Sequence, residues 1–402
     1  MRFAVLYPLI AAFLIVRLIL PAFHGKKARA ILIASIIPGA LFPAVARFIG
    51  GSMVAPDLPQ AVMVVGGVLQ NYTFCLFALV VIREAASIPA RILGLPLATL
   101  GRMRILSLSI IAVAVFSALY GTWLAAGSLV VREVTIDVKG LDPRLEGTRI
   151  VQLSDLHISS AFRGERLARI VRESNALKPD LVAITGDFVD GTVKERRDDL
   201  AALKNLKAPY GVWGCEGNHE HYVDYEGWRE ELPKLGVKML YNAHETIEVN
   251  GAPVVIAGVL DPMGALRFDR EKPDAAKALA GAPEAAFRLM LVHQPKLAPR
   301  IAERVDLILS GHTHGGQIFL LNPIVSKLND GFVSGLYVLK DGVKLYVSPG
   351  TNVWNGFLLR LGTADEITLI MLKAAQEETE EAAGAEADAK SNAKIKAKAG
   401  GA

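Results

Sequence analysis

Long apolar runs come first along the chain and short ones afterwards. Residues 3–23, 28–49, 60–82 and 105–131 are each predominantly apolar over about 20 positions or more, the length a helix needs to cross a bilayer. Four crossings are therefore expected. Pro38, Gly39 and Pro43 are expected to kink or unwind the second. Residues 84–103, broken by Pro89 and Pro96 and dotted with arginine, read as lying along the interface rather than as a fifth crossing. A cleaved signal peptide is the competing reading of the first run, because Arg2 precedes it. No small-residue cleavage site follows, however, and three further apolar runs do.

Beyond residue 131 the period changes. Short, largely β-branched runs at 149–153, 180–185, 211–213, 254–257, 288–292, 305–309, 344–347 and 366–371 alternate with helical spacing. In 163–177, Leu167, Ile170, Val171 and Leu177 share one helical face, which Lys178-Pro179 closes, and a polar helix is expected over 194–206. Alternation of this kind predicts an α/β domain with functional loops at strand ends. The last stretch is rich in Ala, Glu and Lys without an aromatic residue and is expected to stay disordered, since it cannot bury enough apolar surface to order itself; the helical propensity of Ala, Glu and Lys is the competing reading. The chain thus divides into a transmembrane region of about four helices (1–131), a soluble domain (132–373) and a disordered charged tail (374–402).

Composition sharpens this division. Hydrophobic residues make up 52% of the chain and the mean hydropathy is +0.35; the excess lies before residue 131, as a membrane region requires. A net charge of +4 over 402 residues is too small and too dispersed for nucleic-acid binding. The two cysteines, Cys75 in an apolar run and Cys215 in the soluble half, suggest no disulfide, and Cys215 reads as a packed thiol. Loop charges set orientation, because basic loops stay in the cytoplasm. Lys26, Lys27 and Arg29 mark the first loop and Arg83, Arg91, Arg102 and Arg104 the third, whereas residues 50–59 carry only Asp57. A multi-pass cell-membrane protein with an extracytoplasmic soluble domain is expected.

Chemistry concentrates just after the short strands. Asp-x-His (Asp155, His157), Gly-Asp-x-x-Asp (Gly186, Asp187, Asp190), Gly-Asn-His-Glu (Gly217 to Glu220), His293 and Gly-His-x-His (Gly311, His312, His314) follow one another in that order. One histidine after a strand is usually a hydrogen-bonded structural residue; five such blocks together are specific. Nitrogen and oxygen donors without sulfur suit Mn, Fe, Co or Zn. His24, His221 and His244 have no motif around them and read as surface or locally hydrogen-bonded residues.

The ordered blocks resemble the calcineurin-like metallophosphoesterase family, over residues 150–352, and within it the membrane-anchored or exported branch. That resemblance implies a two-sheet β-sandwich flanked by helices, here preceded by transmembrane helices. It also implies two divalent metal ions, one held by Asp155, His157, Asp187 and His314, the other by Asp187, Asn218, His293 and His312. Asp187 would bridge them, and a shared hydroxide would attack phosphorus in line while His219 assists the leaving oxygen as general acid. Asp190 and Glu220 are expected to orient ligating imidazoles. The expected activity is hydrolysis of a phosphate ester, as a phosphodiesterase or pyrophosphatase on an envelope- or lipid-linked substrate. A UDP-2,3-diacylglucosamine pyrophosphatase of lipid A synthesis is one alternative; a non-catalytic membrane-tethered binding or sensory module is another.

Overall fold

The computed structural model describes residues 2–93, 100–303 and 305–375. The early apolar runs are helical. Helix α1 (Arg2–Leu14) widens into a π turn (Ile15–Ile19) and ends at Ala22, and is followed by α2 (Lys26–Phe48), α3 (Gln60–Ile92) and α4 (Leu100–Gly127). Lys26–Phe48, Gln60–Pro89 and Met103–Gly127 are long and apolar enough to cross a membrane, while Leu6–Ala22 is apolar but shorter.

Three details differ from expectation. Helix α2 runs unbroken through Pro38 and Pro43. Close packing sustains it, since Gly39 lies against the backbone of Leu69 on α3 and the Thr73 hydroxyl reaches the Ile36 carbonyl at 3.4 Å, as small and polar residues do between membrane helices. Residues 84–92 extend α3 instead of lying apart, with Glu84 paired to Arg17 and Arg83. Finally, Leu129 to Val131 leave the helix for strand β1 (Leu129–Val138), whose β-branched residues pair along β12 (Asp365–Ala374). The tail expected to be disordered lies, from residue 376, outside the described residues.

The soluble half is α/β, as the alternation implied. One six-stranded sheet has the order β1-β12-β2-β3-β4-β5, with β2 (Arg149–Leu153), β3 (Leu181–Thr185), β4 (Val212–Cys215) and β5 (Val237–Met239) parallel to one another. The other has the order β10-β11-β9-β8-β7-β6. There β7 (Ala252–Gly258), β8 (Phe287–Leu291), β9 (Leu307–Ser310) and β11 (Lys344–Val347) run parallel, flanked by antiparallel β6 (Ala243–Val249) and β10 (Gly335–Val338). Inward-facing Ile150, Ala183 and Trp213 of the first sheet meet Ile256, Leu289 and Leu307 of the second in one buried layer. Helices α5 (Gly164–Ala176), α6 (Val193–Leu200) and α7 (Tyr225–Lys234) cover the outer face of the first sheet. Truncating a leucine in such a layer costs roughly 2–5 kcal/mol. An exposed pair like Lys238–Glu245, 3.3 Å apart, contributes roughly 0–1 kcal/mol, so apolar layers rather than surface ion pairs hold the domain together.

The two halves meet through buried polar contacts. Asn71 on α3 donates to the Leu358 carbonyl at 2.7 Å and to Thr122 on α4 at 2.9 Å, and the Arg360 N–H donates to the Gly121 carbonyl at 3.0 Å. The connection between α2 and α3 joins in, with Trp354 Nε1 donating to Val54 O at 2.8 Å and Ser160 Oγ to Pro56 O at 2.7 Å. Replacing Asn71 by leucine leaves the buried Leu358 carbonyl without its donor. The expected loss is about 1–3 kcal/mol, read as a lower unfolding midpoint of the detergent-solubilised protein.

Candidate metal centre

Strands β2, β3 and β4 are parallel in one sheet and β8 and β9 in the other, so the loops after all five emerge at one edge of the sandwich. Leu153 leads into Asp155 and His157, Thr185 into Asp187, Cys215 into Asn218 and His219, Leu291 into His293, and Ser310 into His312 and His314. Sharp turns are needed to aim them inward. Asp155, His157, Asp187, His312 and His314 all have positive φ, between 40° and 73°, a conformation that persists in non-glycine residues only where the surroundings impose it. Gly217 serves the same crowding: a Cβ there would fall on the Asp187 carboxylate.

The structure brings all seven expected ligands together. Asp187 Oδ2 lies 3.2 Å from His293 Nε2 on one side and 3.6 Å from His157 Nε2 on the other. Around His293 Nε2 gather Asn218 Oδ1 at 3.1 Å and His312 Nδ1 at 3.2 Å. Around His157 Nε2 gather His314 Nε2 at 3.2 Å and Asp155 Oδ1 at 3.9 Å, with Asp155 Oδ1 3.5 Å from His314 Nε2. Two donor nests thus share one carboxylate oxygen.

The donor chemistry fits cations. His293 donates Nδ1–H to the Thr185 carbonyl at 2.8 Å, which turns Nε2 toward two acceptors, Asn218 Oδ1 and Asp187 Oδ2. Only a proton or a cation between them makes that arrangement favourable. Burial disfavours the protonated imidazole, yet Asp187, Asp155 and Asp261 together raise the His293 pKa well above its ordinary value. The nest therefore favours positive charge, of the kind a divalent ion would supply. Burial and the neighbouring His293 push His312 down to about 3, and burial and His157 push His314 well below its ordinary value, so both stay neutral and able to ligate.

A second set of residues holds these groups in place. Asp190 Oδ1 accepts from His157 Nδ1 at 3.2 Å and from His219 Nδ1 at 2.6 Å, while its Oδ2 accepts from the Asn355 N–H at 3.0 Å. Burial would raise the Asp190 pKa, but the two imidazoles hold it at about 2. Glu220 acts differently from expectation. It binds no imidazole and instead accepts from three backbone N–H groups, Gly217 at 2.7 Å, Phe188 at 2.7 Å and Asp187 at 3.2 Å, locking two ligand loops to each other. His221 is buried, not at the surface, and bonds Glu216 Oε1 at 3.0 Å; His244 bonds the Ala278 carbonyl, and His24 is exposed.

Sequence reasoning missed Arg360. Fully buried, it donates to the carbonyls of Pro349 and Asn352 at 2.9 Å and of His314 at 3.2 Å and pairs with Asp365, tying the last ligand loop to residues 349–352. An arginine inside the apolar run Phe357-Leu358-Leu359-Arg360-Leu361 was the available signal, since a charge there must be paired.

Fold and clustered donors together are those of a metallophosphoesterase-type domain. The family described as calcineurin-like phosphoesterase matches residues 148–316. The chain is 36% identical over 282 residues to a transmembrane protein with metallophosphoesterase domain from Danio rerio, covering 68% of this chain and 63% of that one. A putative metallophosphoesterase of Caenorhabditis elegans is 36% identical over 252 residues, 60% of this chain and 52% of that one. The metallophosphoesterase YkuE of Bacillus subtilis is 31% identical over 262 residues, 63% of this chain and 89% of YkuE. The chain belongs to the calcineurin-like metallophosphoesterase family, and it spans between half and two thirds of the length of the animal relatives it matches.

Asp190→Asn keeps the shape and removes the charge that orients two imidazoles. It is expected to weaken Mn2+ or Zn2+ binding about 10–100-fold by calorimetry, whereas Asp187→Asn is expected to lower the metal stoichiometry itself.

Proposed function

We propose that this chain is a membrane-anchored phosphoesterase that hydrolyses a phosphodiester or pyrophosphate bond, envelope- or lipid-linked, at a pair of divalent cations. The observation that carries this reading is the single Asp187 oxygen set between two nests of nitrogen and oxygen donors. Asp155, His157, Asp187 and His314 would hold one ion, and Asp187, Asn218, His293 and His312 the other. Bound there, divalent cations supply Lewis acidity toward phosphoryl oxygens and acidify water. A full donor set supports an enzyme over a binding module, in which ligands could be lost without loss of fold.

The chain's own residues then position and move protons. Asp190 accepts the Nδ1 proton of His219, which fixes the ring and leaves Nε2 to carry the exchangeable proton. Burial lowers the His219 pKa, but Asp187 and Asp190 outweigh it and raise it to about 9; positive charge bound beside it brings the value down from there. The two carboxylates thus favour the protonated imidazole. Its Nε2–H donates to the departing oxygen of the ester, and the Asp190 carboxylate stabilises the proton until then.

Orientation follows from charge and length. Lys26, Lys27 and Arg29 stand at one end of α2, about 35 Å by helical rise from its other end, where the 49–59 connection touches the soluble domain. Basic loops remain in the cytoplasm, which favours an extracytoplasmic catalytic domain and disfavours the lipid A pyrophosphatase alternative, a cytoplasmic reaction.

With Mn2+ and bis(4-nitrophenyl) phosphate, His219→Ala is expected to lower kcat about 10²–10⁴-fold and to abolish an alkaline limb, because the acid form is lost as pH rises through a pKa at or below about 9. Equal rates in wild type, His219→Ala and Asp187→Asn would refute the assignment. A periplasmic reporter fused after Lys373 should be active and a cytoplasmic one silent; the reverse pattern refutes the orientation.

A further inference from the structure

Between the membrane helices and the metal centre lies a cavity of about 190 Å³. Phe42 and Ala46 of α2 and Met63 of α3 form one wall, and Leu321, Trp354 and Phe357 of the soluble domain form the other. Its polar groups are few and partly engaged: Gln70 Nε2 is bound to the Gly356 carbonyl at 3.1 Å and to the Tyr7 hydroxyl at 3.3 Å. An apolar cavity of about 150 Å³ is enough to take benzene, so this one admits a short stretch of hydrocarbon.

Two features say what it holds. The cavity borders the candidate metal centre through its wall, since the Trp354 ring lies 5.9 Å from the His219 ring and the N–H of Asn355, also on that wall, donates to Asp190. The same wall is also joined to the loop of His312 and His314: after them the chain runs through Ile318 and Leu321, both packed against the N-terminal apolar helices, into helix α8 (Asn322–Leu328). Around that helix Phe319, Leu320, Ile324 and Leu328 are all at least half exposed. Large apolar side chains left bare beside membrane helices mark a face that lies in the bilayer interface.

We infer that the substrate is a membrane lipid bearing a phosphate ester, which enters sideways from the leaflet so that the chain segment nearest its headgroup fills this cavity while the phosphate reaches Asp187 and His219. This rests on the phosphoesterase reading given above and specifies its substrate. The exposed side chains of Phe319, Leu320, Ile324 and Leu328 lie on the bilayer beside the cavity, and Trp354 stands between the hydrocarbon and the reacting group.

Occupancy can be read without turnover. Trp213 and Trp228 are fully buried in the soluble domain, whereas Trp123 faces outward from α4, so in full-length Trp123→Phe protein the fluorescence responsive to lipid comes from Trp354. In nanodiscs containing phosphatidylglycerol brominated near the head of its acyl chains, that emission should fall at least twofold relative to unbrominated lipid. Ala46→Phe, which fills the cavity, should restore it, and Ala46→Leu should do so in part. In parallel, the ratio of kcat/KM for hexadecyl over methyl 4-nitrophenyl phosphate should drop at least tenfold in both Ala46 variants. No quenching, or quenching and chain-length ratio unchanged in the Ala46 variants, overturns the lipid site even if both esters are hydrolysed. Quenching that Ala46→Phe removes, with neither ester hydrolysed, supports the site and counts against the phosphoesterase reading instead.

Discussion

Negative charge brought together in a buried space is the constraint around which this protein is arranged. Asp155, Asp187 and Asp190 are each at most 2% exposed, and carboxylates so placed are tolerable only with compensating positive charge and hydrogen bonds. Histidines, backbone N–H groups and the Ser154 hydroxyl supply part of the compensation. The divalent ions that the family implies would supply the rest. Strained ligand loops, Glu220 clamping two of them and buried Arg360 bracing a third all follow from holding that charge in one small volume.

The sandwich makes this possible through topology. Parallel strands deliver their following loops to one edge, and two sheets face to face deliver them from both sides, so ligands up to 159 positions apart, from Asp155 to His314, converge. A rigid apolar interior keeps the loops where the strands end. The N-terminal apolar helices join this frame, because Asn71, Gly121 and the 49–59 connection bond directly to residues 354–360 beside the centre.

Much of this was legible in the residues. Strands 149–153 and 344–347 fall where the apolar alternation placed them, and the His, Asp and Asn blocks announced donors because such groups rarely cluster after strands by chance. What escaped had weak local signals. Strand β1 hid at the end of an apolar run, since Leu129 to Val131 suit a helix as well as a sheet until β12 arrives from the far end of the chain. Helix α2 was expected to break at Pro38 and Pro43, and only tertiary packing against α3 explains why it does not. Arg360 and Asn355 act through backbone contacts over long sequence separation, which no short motif encodes. Glu220 sits within a motif, yet its backbone partners depend on how two loops fold together.

Anomalous X-ray scattering at the manganese edge, from crystals of the full chain grown with Mn2+, addresses the central claim most directly. The account predicts two peaks about 3.5–4 Å apart with Asp187 between them, one beside His157 and His314 and the other beside His293 and His312. A lone peak, or peaks that leave Asp187 without a metal contact, would contradict it.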